Sequence, residues 1–210
     1  MVATTSQKAR LLDLVTGVLE LVRDGNREAS EVADVLQVVK EESGFAKRLL
    51  ASGSVFPTWK AITLGTFRDL KDLRKALDEG GYRVSGRASD LLGQLAFKLA
   101  KAEVRVDLVL VTVAELGFKE GATYRDICVR AKELRLKLCQ TEIGPQLRLQ
   151  YYDDQPMEEW PTVAMEPITD SGGSPRLFRV GRDHGGRWLS TDWGGLGPFW
   201  PAGCRFVFAK

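Results

Sequence analysis

The chain of 210 residues contains a single histidine, only three cysteines and no stretch approaching the roughly 18 consecutive apolar residues that a membrane-spanning helix needs. Each scarcity excludes a class of function. A lone His184 cannot build a multi-histidine metal site, and no cysteine cluster stands in for the missing ligands. Cys128, Cys139 and Cys204 are odd in number and form no C-x-x-C pair, so buried free thiols are expected rather than redox or metal chemistry. Cys128 and Cys139 fall eleven residues apart in one predicted helical segment, about 16 Å along its axis, too far for a disulfide. Phosphate cradles are missing as well: there is no G-x-x-x-x-G-K-[ST], and no G-x-G-x-x-G between a strand and a helix. The first residues, from Met1 to Asp13, carry no apolar core of a signal peptide, so a cytoplasmic location is expected, with no membrane partner.

What is present is ordinary in amount and uneven in placement. A hydrophobic fraction of 44% and a charged fraction of 28% suit a folded chain with one core. The formal net charge is +2, but the charges are blocked. Between Glu142 and Asp170 seven acidic residues stand against Arg148 alone; from Ser171 to Lys210 six basic residues stand against Asp183 and Asp192. Adjacent blocks of opposite sign pair most simply across strands, and only secondarily suggest a polyanion site.

Periodicity predicts an α+β fold with an N-terminal helical hairpin, a mixed α/β middle and a C-terminal antiparallel β meander or small open barrel. Leu11, Leu14, Val15, Val18, Leu21 and Val22 form one helical stripe, and Val32, Val35, Leu36 and Val39 another. These define a hairpin over residues 1–50, with a short third helix near 45–50. Ala51-Ser52-Gly53-Ser54, closed by Pro57, predicts a linker at 51–57. Residues 58–141 then hold strands at 59–64 and 104–113. Three helices accompany them: one capped by Thr66 and stopped by Gly80-Gly81, one from Ser85, and one capped by Thr123. Thr66-Phe67-Arg68-Asp69-Leu70 and Thr123-Tyr124-Arg125-Asp126-Ile127 match locally, which two independent caps explain more simply than a duplication. Asp107 interrupts an apolar run and is expected at a strand entrance, facing water.

The meander occupies 142–210. Leu147, Leu149 and Tyr151 alternate with Arg148, Gln150 and Tyr152, the pattern of a half-buried strand opened by Pro145. Further strands are expected at 161–166, 177–181, 187–191 and 205–209, joined by Gly-rich turns. Phe178, Val180, Trp188, Phe206 and Phe208 are the expected interior.

Several stretches, among them Trp59-Lys60-Ala61-Ile62-Thr63-Leu64-Gly65-Thr66, Ala114-Glu115-Leu116-Gly117-Phe118, Ala164-Met165-Glu166-Pro167-Ile168-Thr169-Asp170-Ser171 and Arg205-Phe206-Val207-Phe208, resemble an uncharacterised bacterial protein family. The resemblance runs over about residues 59–210 and departs from the family around Gly86-Arg87-Ala88-Ser89-Asp90. It implies a small bacterial protein and carries over no activity and no catalytic residue.

His184 lies between Asp183 and Gly185-Gly186, where turn chemistry accounts for it. Asp153, Asp154, Glu158, Glu159 and Glu166 are the only candidates for a cation or an acid–base pair, and an exposed turn explains them more simply. No cofactor is expected. The strongest binding signal is the mixture of Arg179, Arg182, Arg187 and Arg205 with Trp188, Trp193, Phe199 and Trp200. Tryptophan and arginine dominate protein interfaces, and the same pairing suits single-stranded nucleic acid through stacking and phosphate charge. A non-enzymatic interaction module for a protein partner or a second copy is therefore expected, with nucleic acid as the alternative and an enzyme using the 153–166 carboxylates third.

Overall fold

The segment expected as the opening strand of the meander is a helix, and the sheet is wrapped around it. In the computed structural model, which describes residues 56–151, 155–197 and 199–210, the order is β1 (Lys60–Leu64), α1 (Leu70–Glu79), β2 (Arg83–Val84), α2 (Gly86–Gly93), β3 (Val104–Thr112), β4 (Ala122–Thr123), α3 (Tyr124–Glu133), α4 (Ile143–Gln150), β5 (Thr162–Val163), β6 (Ile168–Thr169), β7 (Pro175–Asp183), β8 (Gly186–Trp193), β9 (Phe199–Trp200) and β10 (Arg205–Ala209). The expected hairpin at 1–50, with its third helix, and all but the end of the linker lie outside the described residues.

Eight strands form one sheet in the order β1-β3-β10-β5-β7-β8-β2, with β6 added beside β7; β4 and β9 make a separate two-stranded ribbon. The architecture is α+β, but the C-terminal strands are not a meander of their own. β10 lies antiparallel to β3 on one side and parallel to β5 on the other, and β2 joins β8 in parallel. The reason is visible in the strands. Phe206, Val207 and Phe208 are all buried, as are Leu108, Val109 and Val111, so both strands need cover on two faces and neighbours on both edges. They therefore sit together inside the sheet.

Helix α4 touches β1 at one end of that order and both β7 and β8 toward the other. In a flat sheet β1 and β8 would lie about 24 Å apart, while a helix with its side chains is about 10–12 Å across. The sheet must curl, and it forms a half-barrel around α4. Ile143 and Leu147 are fully buried and Tyr151 nearly so, a stripe at four-residue spacing that serves a helix as well as the 147/149/151 alternation serves a strand. Pro145 falls in the first turn, where its missing N–H costs nothing. Gly144 is required by packing: a Cβ there would stand 2.6 Å from the Phe178 side chain.

The polar residues of α4 are also used inside. Glu142 accepts hydrogen bonds from the backbone N–H of Gly65 (2.9 Å) and Ala100 (2.7 Å). Gln146 donates to Glu142 and to the Thr66 hydroxyl, both at 2.8 Å. The Gln150 amide accepts from Thr63 N–H (2.9 Å) and donates to Thr63 O (2.8 Å), so on edge strand β1 it stands where a neighbouring strand would. Thr66 is thus a partner of Gln146, and the cap of α1 is Asp69, whose carboxylate accepts from Asp72 N–H at 3.0 Å. Thr123 does cap α3, so the two matching pentapeptides start their helices differently.

Ser85 caps α2 and Gly80 closes α1, as expected. Asp107 is half exposed beside Arg105. Cys139 lies beyond α3, in an isolated bridge to Met165, so it shares no helix with Cys128; all three cysteines are free. Among the described residues no helix is long and apolar enough to cross a membrane.

Candidate functional site: two cavities on one hairpin

β7 and β8 form a long antiparallel hairpin in which Arg179 pairs with Ser190, Val180 with Leu189, Gly181 with Trp188 and Arg182 with Arg187. Side chains alternate along each strand. Phe178 and Val180 point toward α4, and Arg182 shares their face. Arg179 and Gly181 point the other way.

On that outer face Trp160 lies against Gly181, where any Cβ would overlap the indole. The Arg179 guanidinium stands 4.8 Å from the Trp160 ring centre. A glycine inside a strand often marks such a close approach, and this was the available sequence signal for Trp160. Beside it opens a cavity of about 510 Å³ lined by Glu159, Trp160, Arg179, Asp192, Trp200, Cys204 and Arg205, among others. Both arginines are already paired: Arg179 with Asp192 at 3.2 Å, Arg205 with Glu159 at 2.7 Å. Glu159 is buried and its second oxygen accepts from the Tyr151 hydroxyl at 2.7 Å. Together with Arg176 and Asp170 at 3.0 Å, the Arg205–Glu159 pair joins the acidic and basic blocks of the sequence, but both carboxylates stand in loops beside the strands and not across from the arginines on a neighbouring strand. Burial pushes the Cys204 thiol up, with the Asp192 charge adding to it, so the sulfur is protonated at neutral pH.

Two donors at this cavity have no partner. The Trp200 indole N–H and the Arg179 Nε are both buried and make no hydrogen bond. Trp200 is otherwise a core residue, 8% exposed, with its ring 4.8 Å from Phe206 and 6.5 Å from Tyr124.

The inner end of the hairpin is different. Arg182 and Arg187 line a second cavity of about 380 Å³ with Tyr82, Met157, His184 and Gly186. Met157 borders both cavities. Behind Tyr82 is Arg148 of α4, 0% exposed, with its guanidinium 5.1 Å from the Tyr82 ring centre. It donates to Gln155 Oε1 (2.6 Å), Gly181 O (3.1 Å) and Tyr151 O. Desolvation above all, with the Arg187 and Arg182 charges adding to it, lowers its pKa to about 10, and it remains charged at neutral pH.

The eight expected binding residues therefore do not share one surface. Arg179, Trp200 and Arg205 meet at the outer cavity, and Arg182 and Arg187 at the inner one. Trp188 is no interior residue: it pairs with Gly181 on the outer face, donates its indole N–H to Asp183 at 2.9 Å, and is covered by Arg83. Trp193 stacks with Arg176, and Phe199 stands 62% exposed on the β9 ribbon. His184 occupies the hairpin turn as expected, where Asp183 accepts from Gly185 N–H. Of the 153–166 carboxylates, Asp153 and Asp154 lie outside the described residues and Glu158 and Glu166 are exposed, but Glu159 is buried in its ion pair and not part of a solvated turn. Arg148, Gln155 and Tyr82 had no sequence signal, because a strand reading of 147–151 turned Arg148 outward. Comparison with protein-family models, with curated proteins and with solved structures yields no match.

Proposed function

We propose that the chain is a non-enzymatic interaction module of bacterial type, which holds a protein partner or a second copy of itself against the outer cavity and the adjoining loop from Trp193 to Phe199. The observation that carries this reading is the pair of buried, unpartnered donors at one cavity, Trp200 Nε1 and Arg179 Nε. Leaving a buried donor unmade costs about 1–3 kcal/mol, a deficit that the backbone carbonyls of an incoming peptide would remove if the two side chains turn toward it. The rim suits the same occupant. Trp193, Leu196 and Phe199 expose large apolar surface within seven residues, and such side chains anchor protein interfaces.

Nucleic acid suits this cavity less well, since Arg179 and Arg205 are each neutralised by a carboxylate and have little charge left for phosphates. Three free thiols fit a reducing compartment such as the cytoplasm.

A photo-cross-linking residue placed at Met157 or Phe199 of the full-length chain, both exposed, tests the reading in producing cells. Both sites should give the same discrete protein adduct, and Arg179→Glu should abolish it. Capture no stronger than from an identical label at Lys75, on α1, would reject the reading.

A further inference from the structure

We propose that the inner cavity, between the β7–β8 turn and the Gly80–Tyr82 corner, is a binding site for a small phosphate-bearing molecule, held by Arg182 and Arg187 with Arg148 behind them. Arg182 and Arg187 are directly opposite one another in the hairpin, a placement that sets like charges side by side and opposes folding unless something offsets it. Arg148 adds a third positive charge from within the core, and each of its partners, the Gln155 amide oxygen, two backbone carbonyls and the Tyr82 ring, is neutral. Among the described residues none of the three arginines has a carboxylate within ion-pair distance. Asp183 is the only carboxylate among the described residues lining the cavity. One of its oxygens is taken up by Gly185 N–H and the Trp188 indole, and Trp188 belongs to the outer face.

The guanidinium groups are also short of acceptors. The Nε atoms of Arg187 and Arg148 are buried and make no hydrogen bond. Arginine presents a planar fork of donors that matches phosphate oxygens two at a time, and two lining guanidiniums backed by a third match a dianion better than a single carboxylate. The volume of about 380 Å³ is within the range of small-molecule sites. Tyr82 supplies an aromatic wall and His184 a further polar group at the mouth. This site differs in charge from the outer cavity, whose arginines are neutralised and with which it shares only Met157 among the described residues.

Titrating the full-length protein with inorganic phosphate, pyrophosphate, citrate and a short single-stranded oligonucleotide at constant ionic strength, read by calorimetry and thermal melting, tests the site. Phosphate and pyrophosphate should raise the melting temperature saturably. Arg187→Gln should weaken pyrophosphate binding at least tenfold, whereas Arg68→Gln, on the exposed surface of the Thr66–Asp69 turn, should leave it unchanged. Because Arg182 also donates to Gln155 O at 2.6 Å, Arg187 is the cleaner position, and Arg187→Lys should retain part of the affinity. Without ligand, Arg187→Gln should melt at or above the wild-type temperature, since a like-charge contact has gone. A large drop in that ligand-free melting temperature would make Arg187 structural and overturn the proposal. So would the lack of any saturable phosphate shift, stabilisation by citrate alone, or oligonucleotide binding that pyrophosphate does not displace.

Discussion

The two faces of the β7–β8 hairpin each carry arginines a few residues apart, and the fold treats them in opposite ways. On the outer face Arg179 meets Asp192, and Arg205 from β10 meets Glu159. On the inner face Arg182 and Arg187 meet each other, with Arg148 behind them and no carboxylate among the described residues within ion-pair distance. Charge blocks in the sequence predict cross-strand neutralisation on average, and one residue of offset decides which arginine receives it. Period two sends Arg179 and Arg182 to opposite faces. The outer cavity is nearly neutral and short of acceptors for two donors. The inner cavity is positive.

Removing Arg148 should produce the largest effect on this contrast. Arg148→Met leaves Gln155 Oε1, Gly181 O and Tyr151 O inside the protein without their donor, and should cost about 3 kcal/mol of unfolding free energy in urea titration. An unchanged or higher stability would mean that desolvating the guanidinium outweighs its hydrogen bonds, and that α4 tolerates rather than uses the charge.

The outer face should respond in two steps. Glu159→Gln removes a buried carboxylate that serves both Arg205 and the Tyr151 hydroxyl, with an expected loss of about 1–2 kcal/mol. Asp192→Asn breaks a pair about one third exposed on each side, 35% and 30%, and should cost no more than about 0.5 kcal/mol. Equal losses from the two variants, measured under the same denaturant conditions, would erase the distinction between a buried anchor and a rim contact.

Acid should have the smallest effect, and it reaches the fourth arginine of the hairpin, Arg176. The backbone N–H of Ser174, then the Arg176 side chain, hold the Asp170 carboxyl below its ordinary value of 3.8. A carboxyl whose folded pKa is depressed stabilises the fold above its unfolded value, and that contribution is lost as pH falls through the folded one. The native protein should therefore lose stability on acidification below about pH 3.8, and Asp170→Asn should be flatter over the same window. Asp90, lowered by Ser171 of the same turn, acts in the same sense. Parallel acid limbs in the two proteins would assign the lability elsewhere.

Much of the fold was legible locally. Gly80-Gly81 stops α1, Ser85 caps α2, Thr123 caps α3, and the turns at 169–173 and 183–186 bound β7 and β8. Each of these is a short-range event in which one side chain satisfies a nearby backbone group or a glycine permits a tight turn. Of the candidate site, the residues were legible and their grouping was not. Arg179, Trp200 and Arg205 come from three strands, and which of them face one another depends on β10 pairing with β5 rather than following β8.

The segment from Glu142 to Tyr151 marks the boundary most clearly. Its composition and spacing determined that it would bury Leu147 and Tyr151, and either period satisfies that demand. Only the tertiary structure decided for a helix, because Glu142 and Gln150 find backbone partners on Gly65, Ala100 and Thr63, Gln146 finds the Thr66 hydroxyl, and Arg148 finds carbonyls near the hairpin. Those partners lie up to 87 residues away along the chain. Polar groups enter a core when acceptors and donors are already waiting there, and local periodicity carries no record of them.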